Sequence, residues 1–238
     1  ESRPYIDLTL SALADFGVTA RWLDERRLAV PGGQHYRPCP YRVEGDYSQA
    51  AFPAVLGAVR GGVTVTGLRP DSLQGDAAIL DILTRCGANF TRTGDEVRFE
   101  ASPLRATATD LAACPDLGPI LMVLGLFCEG DTVITNAGRL RIKESDRIAA
   151  MQEELAKFGG QVLAKGETVT VKGLGGALRA PTQPLNSHND HRVAMALSVA
   201  AWAAGLPALL EDAGAVAKSW PTFFADMARG LDARWQEA

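Results

Sequence analysis

The chain has 238 residues, of which 47% are hydrophobic and 22% are charged, and its formal net charge is −4. This mixture is typical of a globular protein with a sizeable core, and the negative charge argues against nucleic acid as the main partner. The four cysteines are scattered without a Cys-x-x-Cys pair, and the three histidines lack the spacing of zinc ligands. We therefore expect free thiols in a reducing compartment and no metal site.

The N-terminal segment ESRPYIDLTL lacks the apolar region of a signal peptide, which predicts a cytoplasmic protein. One uncharged stretch, from Val193 to Leu210, is about long enough to cross a membrane. It is rich in Ala and contains Gly205 and Pro207 near its end. We interpret it as a helix, a turn and a buried strand.

The predicted elements repeat at an interval of about seventy residues. Asp46, Asp116 and Asp190 each precede an apolar helix rich in small residues, at steps of 70 and 74. A turn, a β-rich run and an amphipathic helix follow each time, and a hairpin with a Gly-containing turn closes the first two units. The sequence predicts β-α-β-α-β-β units, with apolar helices inside, amphipathic helices outside and sheets between them.

The first 33 residues match only the second half of this unit. The pairs Phe16-Gly17, Cys86-Gly87 and Phe158-Gly159 occur at steps of 70 and 72. Gly87 and Gly159 are predicted to end helices. We infer from the half unit that further residues precede Glu1 in the full protein.

Three polar clusters fall where a helix is predicted to begin. They are Lys143–Arg147 (KESDR), Asn189–Arg192 (NDHR) and Ala217–Pro221 (AKSWP). Arg147, Arg192 and Lys218 oppose the positive end of a helix dipole and need another stabiliser, which an anionic ligand would supply. Each could instead pair with a neighbouring carboxylate, for example Arg192 with Asp190. Because the clusters occupy corresponding places in different units, the sequence favours one shared anion site.

Asp116 begins an almost wholly apolar helix and could be only an N-terminal cap. Burial would raise its pKa and nearby Lys or Arg would lower it, which is how a general base is tuned, so both roles stay open. Its counterpart Asp46 lies among polar residues and is predicted to cap only. Glu144, beside Lys143, is a second group that could exchange protons.

Together the motifs KESDR, NDHR, CPDL and AKSWPTFF, with SRPYIDLTL, VEGDYSQAAF and LQGD, resemble 5-enolpyruvylshikimate-3-phosphate synthase from Ser2 to the last helix. Members of this family transfer the enolpyruvyl group of phosphoenolpyruvate to the 5-hydroxyl of shikimate 3-phosphate and release phosphate. The resemblance implies an α/β fold of two lobes, each an inside-out α/β barrel of three β-α-β-α-β-β units. Residues 1–43 would finish the first lobe, and residues 44–238 would form the second without its N-terminal strand.

The resemblance also implies no cofactor, no metal, small-molecule substrates, and a monomer when full length. Asp116 would be the base near the attacking hydroxyl and Glu144 the proton-transfer acid. The residues implied to contact substrate are Ser2, Tyr5, Lys143, Arg147, His191, Arg192 and Lys218. Of these, the first three are matched to shikimate 3-phosphate. The arginines and Lys218 are matched to the phosphate and carboxylate of phosphoenolpyruvate, since Arg suits bidentate oxyanion contacts.

The family's N-terminal Lys-Ser-x-x-x-Arg segment, Asn-Ala-Gly-Thr loop and Ser-Ser-Gln run do not occur in this sequence. We therefore expect this chain to be a fragment that is inactive, or nearly so, alone. Two alternatives stay open. One is a non-catalytic remnant that binds an anion, and the other is enolpyruvyl transfer to a UDP-sugar, as in the sister enzyme UDP-N-acetylglucosamine enolpyruvyl transferase.

Overall fold

The computed structural model of the chain describes residues 3–231, in which helices and short strands alternate. The helices are α1 (Arg3–Asp15), α2 (Tyr47–Arg60), α3 (Ala78–Arg85), α4 (Gly118–Phe127), α5 (Arg147–Lys157), α6 (His191–Ala204) and α7 (Phe223–Leu231). The strands are β1 (Arg21–Trp22), β2 (Leu28–Ala29), β3 (Val63–Val65), β4 (Asn89–Thr93), β5 (Glu96–Glu100), β6 (Ala108–Asp110), β7 (Asp131–Thr135), β8 (Gln161–Lys165), β9 (Thr168–Lys172), β10 (Leu185–Asn186) and β11 (Leu210–Glu211).

The predicted repeat is confirmed. The run β6-α4-β7-α5-β8-β9 is one complete β-α-β-α-β-β unit, α2-β3-α3-β4-β5 precedes it, and β10-α6-β11-α7 follows it. The half unit is α1-β1-β2. Gly17, Gly87 and Gly159 each follow a helix with φ between 78° and 88°, a conformation that glycine adopts without a Cβ clash, so the predicted helix ends at Gly87 and Gly159 are also confirmed.

Asp116 and two of the polar clusters follow the carboxyl ends of strands in the sheets. The strand orders are β3-β5-β4 and β6-β7-β9-β8, with separate pairs β1-β2 and β10-β11. Strands β6 and β7 are parallel, as are β10 and β11, whereas hairpins β4-β5 and β8-β9 are antiparallel. Asp116 follows β6, the KESDR cluster follows β7, and the NDHR cluster follows β10. Ligands of α/β proteins commonly bind at the carboxyl ends of parallel strands.

The core lies among the three apolar helices. Helices α2, α4 and α6 contact one another, and every residue of α4 is buried. The expectation that sheets separate inner from outer helices is wrong for α5, which packs directly on α4 and α6. The reason is that α4 is apolar on all sides and needs more cover than β7 and β9 supply. The buried residues Ile148, Met151 and Leu155 of α5 provide it.

The stretch Val193–Leu210 forms the predicted helix and turn, with α6 ending at the left-handed Gly205 (φ 66°) before β11. The prediction that this strand is buried is wrong, because β11 pairs only with β10 among the described strands and leaves Leu210 partly accessible and Glu211 exposed. In the part of the chain that the structure describes, no helix has the length and apolar character to cross a membrane. The four cysteines are free thiols, and three of them are buried, as the sequence predicted.

Residues 3–43 differ from the rest in how little apolar surface they bury. Val18 is their one buried apolar residue among those described. They also carry seven of the eleven exposed large apolar side chains in the described chain. The division of the chain at residue 43 and the closure of the units into a barrel stay predictions, while the mixed α/β repeat fold is established.

Candidate functional site

The three loops that lead into α4, α5 and α6 bring their charged residues together around Arg147. The Arg147 side chain is 1% exposed and is surrounded by carboxylates. Its Nε donates to Asp190 Oδ2 at 2.8 Å, Nη1 donates to Asp116 Oδ1 at 3.1 Å, and Nη2 donates to Glu144 Oε2 at 2.6 Å. Arg147 therefore joins the CPDL, KESDR and NDHR motifs in one ionic network.

Asp190 is the partner that fixes Arg147. Its side chain is fully buried and also accepts hydrogen bonds from Ser145 Oγ at 3.1 Å and from the backbone N–H of Arg192 at 2.9 Å, which caps α6. Burial alone would raise the pKa of Asp190, but the hydrogen bond and charge of Arg147 outweigh it and lower the pKa. The sequence alternative in which Asp190 neutralises Arg192 is wrong, because its side-chain ion pair is with Arg147.

Asp116 is a partly accessible carboxylate that three cationic side chains contact. Its side chain is 21% exposed, and Oδ1 lies 3.0 Å from Lys143 Nζ. Arg192 Nη2 lies 3.4 Å from Oδ2. Burial opposes ionisation of Asp116, but the charges of Arg192 and Lys143 outweigh it, so the pKa lies below its ordinary value. Asp116 is thus an ionised carboxylate in a cationic surface.

Arg192 connects this surface to the first repeat unit. Its Nη2 donates to Ser48 Oγ at 2.9 Å, and Ser48 lies in the first turn of α2. The sequence missed Ser48; its one signal was its position two residues after the cap Asp46. His191 is mostly buried, and its Nδ1 has no hydrogen-bond partner among residues 3–231. Burial and the charge of Arg192 lower the pKa of His191, so the ring is neutral at neutral pH.

Lys218 is placed differently from the prediction. It ends a 3-10 segment, Ala213–Lys218, and lies before α7 rather than at its start. Its ammonium contacts the backbone oxygen of Asn189 and also Asn189 Oδ1, the latter at 2.9 Å. Lys218 thereby reaches the NDHR motif through the residue that precedes Asp190.

Tyr5 lies at the edge of the same region. Its hydroxyl donates to Asp76 Oδ2 at 2.6 Å, and the charges of Asp116 and Arg192 act on it. The other N-terminal site residue predicted from the sequence, Ser2, lies outside the described residues. Asp76, from the LQGD motif, is a buried group that sequence reasoning did not single out.

A second cluster of acidic residues has side-chain atoms that could hold a metal ion. Glu153, Glu154 and His188 bring ligand atoms within 4.8 Å of one another. However, Glu154 already accepts two hydrogen bonds from Lys157 Nζ, at 2.8 and 2.9 Å, and one from the backbone N–H of Asn186. The lysine ammonium therefore already supplies the positive charge that a metal ion would bring there.

Known proteins are similar to this chain in both sequence and fold. A family model described as EPSP synthase (3-phosphoshikimate 1-carboxyvinyltransferase) matches residues 1–227. The 3-phosphoshikimate 1-carboxyvinyltransferase of Clostridioides difficile is 39% identical over 226 residues, which cover 95% of this chain and 51% of the relative. That of Clostridium beijerinckii is 40% identical over 227 residues, covering 95% and 52%. The chain thus spans about half the length of the curated relatives it matches.

Solved structures of enolpyruvyl transferases are similar to this chain in fold. The EPSP synthase from Acinetobacter baumannii has a TM-score of 0.83 and 25% identity, over 97% of this chain and 55% of that one. The enolpyruvyl transferase NikO from Streptomyces tendae has a TM-score of 0.72 and 21% identity, over 95% and 53%, and shows a shared fold. From the match over residues 1–227, this chain belongs to the EPSP synthase (3-phosphoshikimate 1-carboxyvinyltransferase) family.

Proposed function

We propose that the protein containing these residues transfers the enolpyruvyl group of phosphoenolpyruvate to the 5-hydroxyl of shikimate 3-phosphate and releases phosphate. The observation that carries the proposal is the accessible Asp116 carboxylate with three cations within 3.0 to 3.4 Å of its oxygens. Such a surface offers a proton acceptor beside charges that attract an anionic donor. Family membership supports the same chemistry.

The reaction needs three events that these groups can serve. Asp116 takes the proton of the alcohol as the alcohol oxygen bonds to C2 of phosphoenolpyruvate. Glu144, which must be protonated for this step, gives a proton to the methylene carbon. The resulting tetrahedral adduct then returns a methyl proton to the Glu144 carboxylate and expels phosphate, which forms the enol ether. Arg192 and Lys218 stabilise the charge on the phosphate and carboxylate of phosphoenolpyruvate, and Lys143 contacts shikimate 3-phosphate.

The cations around Asp116 also explain how substrate binding would make this carboxylate a stronger base. Without ligand they hold its pKa below the ordinary value. Bound phosphoenolpyruvate and shikimate 3-phosphate carry several negative charges, which would offset the charges of Arg192 and Lys143. The carboxylate would become more basic when the substrate is present, which suits a general base.

Arg147 has a different part in this proposal. Each of its three nitrogens donates to a carboxylate of the chain. We assign it the positioning of Asp116 and Glu144, with any contact to phosphoenolpyruvate made after Glu144 moves. The cytoplasmic location and the monomeric state of the full-length protein stay predictions.

The direct test is phosphate release by the full natural polypeptide with phosphoenolpyruvate and shikimate 3-phosphate. We expect saturable release that depends on both substrates, together with an enolpyruvyl ether identified by mass spectrometry. Release with a UDP-sugar and none with shikimate 3-phosphate would instead support the sister activity. Binding of phosphate without any transfer would support the non-catalytic anion-binding alternative.

A further inference from the structure

Tyr5 and Asp76 form a hydrogen-bonded pair between helix α1 and the LQGD loop. The Tyr5 hydroxyl donates to Asp76 Oδ2 at 2.6 Å. Asp76 is 2% exposed, whereas Tyr5 keeps part of its surface accessible. A short hydrogen bond to a buried carboxylate fixes the direction of the hydroxyl, so the phenol proton points toward Asp76 and away from any ligand.

The backbone around Asp76 is held on two sides. A Cβ on Gly75 would lie 2.1 Å from the backbone oxygen of Ala113 and 3.4 Å from Pro4 Cβ, so this position lies in close contact with both segments. The side chain of Gln74 donates to the backbone oxygen of Gly45 and accepts from the backbone N–H of Tyr47, each at 2.8 Å. The loop is therefore rigid, and the pair sits beside the segment that leads to Asp116.

The second oxygen of Asp76, Oδ1, is buried and has no hydrogen-bond partner in the described chain. Burial, with a further contribution from the charges of Asp116 and Asp46 against Arg192, raises the pKa of Asp76 to about 6. Burial and Asp76 also raise the pKa of the Tyr5 phenol. Tyr5 therefore stays protonated at neutral pH, and its proton remains committed to Asp76.

We propose that Asp76 is a positioning residue that holds the Tyr5 proton, so that the Tyr5 oxygen can only accept a hydrogen bond from a hydroxyl of the alcohol substrate. The inference rests on the proposed function and adds to it which group of the alcohol substrate Tyr5 can bind. Phosphate and carboxylate oxygens have no proton to donate to Tyr5. Tyr5 therefore recognises a ring hydroxyl of the sugar-like acid and discriminates against its anionic groups.

The variants Tyr5→Phe and Asp76→Ala, made singly and together in the full natural polypeptide, test this. One lost hydrogen bond to a neutral group corresponds to about a tenfold rise in the KM for shikimate 3-phosphate. We expect that rise in each single variant, with the KM for phosphoenolpyruvate changed less than about twofold. The double variant should lose no more than the worse single one. The proposal would be overturned if the double variant raised the KM for shikimate 3-phosphate by the product of the two single effects. It would also be overturned if that KM did not change in the single variants.

Asp71→Ala is the matched control, since Asp71 is an exposed aspartate of the same loop that pairs with Arg69. It should leave both KM values unchanged. Titration of the tyrosine absorbance gives a readout that needs no turnover. The signal lost in Tyr5→Phe should titrate far above the ordinary phenol pKa of about 10 in the natural protein and near it in Asp76→Ala. A Tyr5 titration that Asp76→Ala does not move would overturn the pairing even if the protein transfers nothing, whereas absent transfer alone would refute only the proposed function.

Discussion

Asp46 and Asp116 occupy the same place in successive repeat units, 70 residues apart, but have different partners. The Asp46 carboxylate accepts the backbone N–H groups of Ser48 and Gln49, at 2.8 and 3.3 Å, and caps α2. The Asp116 carboxylate contacts the side chains of Lys143, Arg147 and Arg192 instead. One aspartate caps a helix, and the other lies among three cationic side chains.

The local sequence explains the difference. A capping carboxylate accepts the N–H groups two and three residues ahead. After Asp116 the third residue is Pro119, which has no N–H. Asp116 also lies inside the 3-10 turn Pro115–Leu117 rather than just before α4. Asp190 is intermediate, because one of its oxygens caps α6 while both bind Arg147. Loss of capping partners thus leaves the carboxylate at this position of the repeat free to contact side chains of other loops.

The largest expected effect comes from breaking the buried ion pair between Arg147 and Asp190, whose arginine also contacts Asp116. Arg147→Met leaves Asp190 buried without its counter-ion, and such a loss typically costs about 3–5 kcal/mol. We expect the free energy of unfolding in urea at neutral pH to fall by that amount. The control is Arg141→Met, which removes an exposed pair with Asp146 and should cost less than about 1 kcal/mol. Equal costs would show that burial of the network contributes nothing.

The next effect tests the two aspartates directly. Asp116→Asn keeps the shape but removes the base, so turnover should fall by about 10²–10⁴-fold. Asp46→Asn should stay near the natural rate, because Asn caps a helix about as well as Asp. Initial rates of phosphate release, with circular dichroism to verify folding, give the answer. A similar loss in both variants would remove the distinction between a capping and a catalytic aspartate.

The fold was predictable because helix and strand periodicity is local information. The apolar character of α4 and the glycines after the outer helices lie within a few residues of the elements they define. Partner choice in the site was not predictable in the same way. Arg147 and Asp190 are 43 residues apart, and nothing in their neighbours indicates that this pair forms rather than Arg192 with Asp190.

Two further residues show where sequence reasoning fails. Lys218 was predicted at a helix start, but Pro221 follows it and α7 begins only at Phe223. Asp76 lies in a short polar loop, and its burial depends on the packing of that loop against α2, against the segment before Asp116 and against Tyr5 of α1. The position of Lys218 thus follows from a local signal, the proline, whereas the burial of Asp76 depends on contacts between segments distant in sequence, which no local pattern encodes.

The charges of Asp46 and Asp116 both act on Asp76. The titration of Asp76 should therefore make the free energy of unfolding depend on pH. Its pKa rises from 3.8 to about 6 on folding, so the folded state holds the proton to higher pH. The contribution is therefore full below about pH 4 and is lost as the pH rises to about 6, by on the order of 2–3 kcal/mol. Asp76→Asn should remove this dependence, so the unfolding free energy of the natural protein relative to the variant falls across that window. A difference that does not change with pH would contradict the assignment.

The smallest effect concerns the capping aspartate itself. Asp46→Ala removes the acceptor for two backbone N–H groups at the start of α2, which typically costs about 1 kcal/mol. Asp46→Asn should cost only a few tenths of that, because the amide oxygen replaces the carboxylate oxygen. Urea unfolding of both variants measures the difference, and the KM for phosphoenolpyruvate reports whether Ser48 still holds Arg192. If Asp46→Ala lowered turnover as far as Asp116→Asn while leaving stability unchanged, the first aspartate would belong to the reaction and the contrast between the two units would be lost.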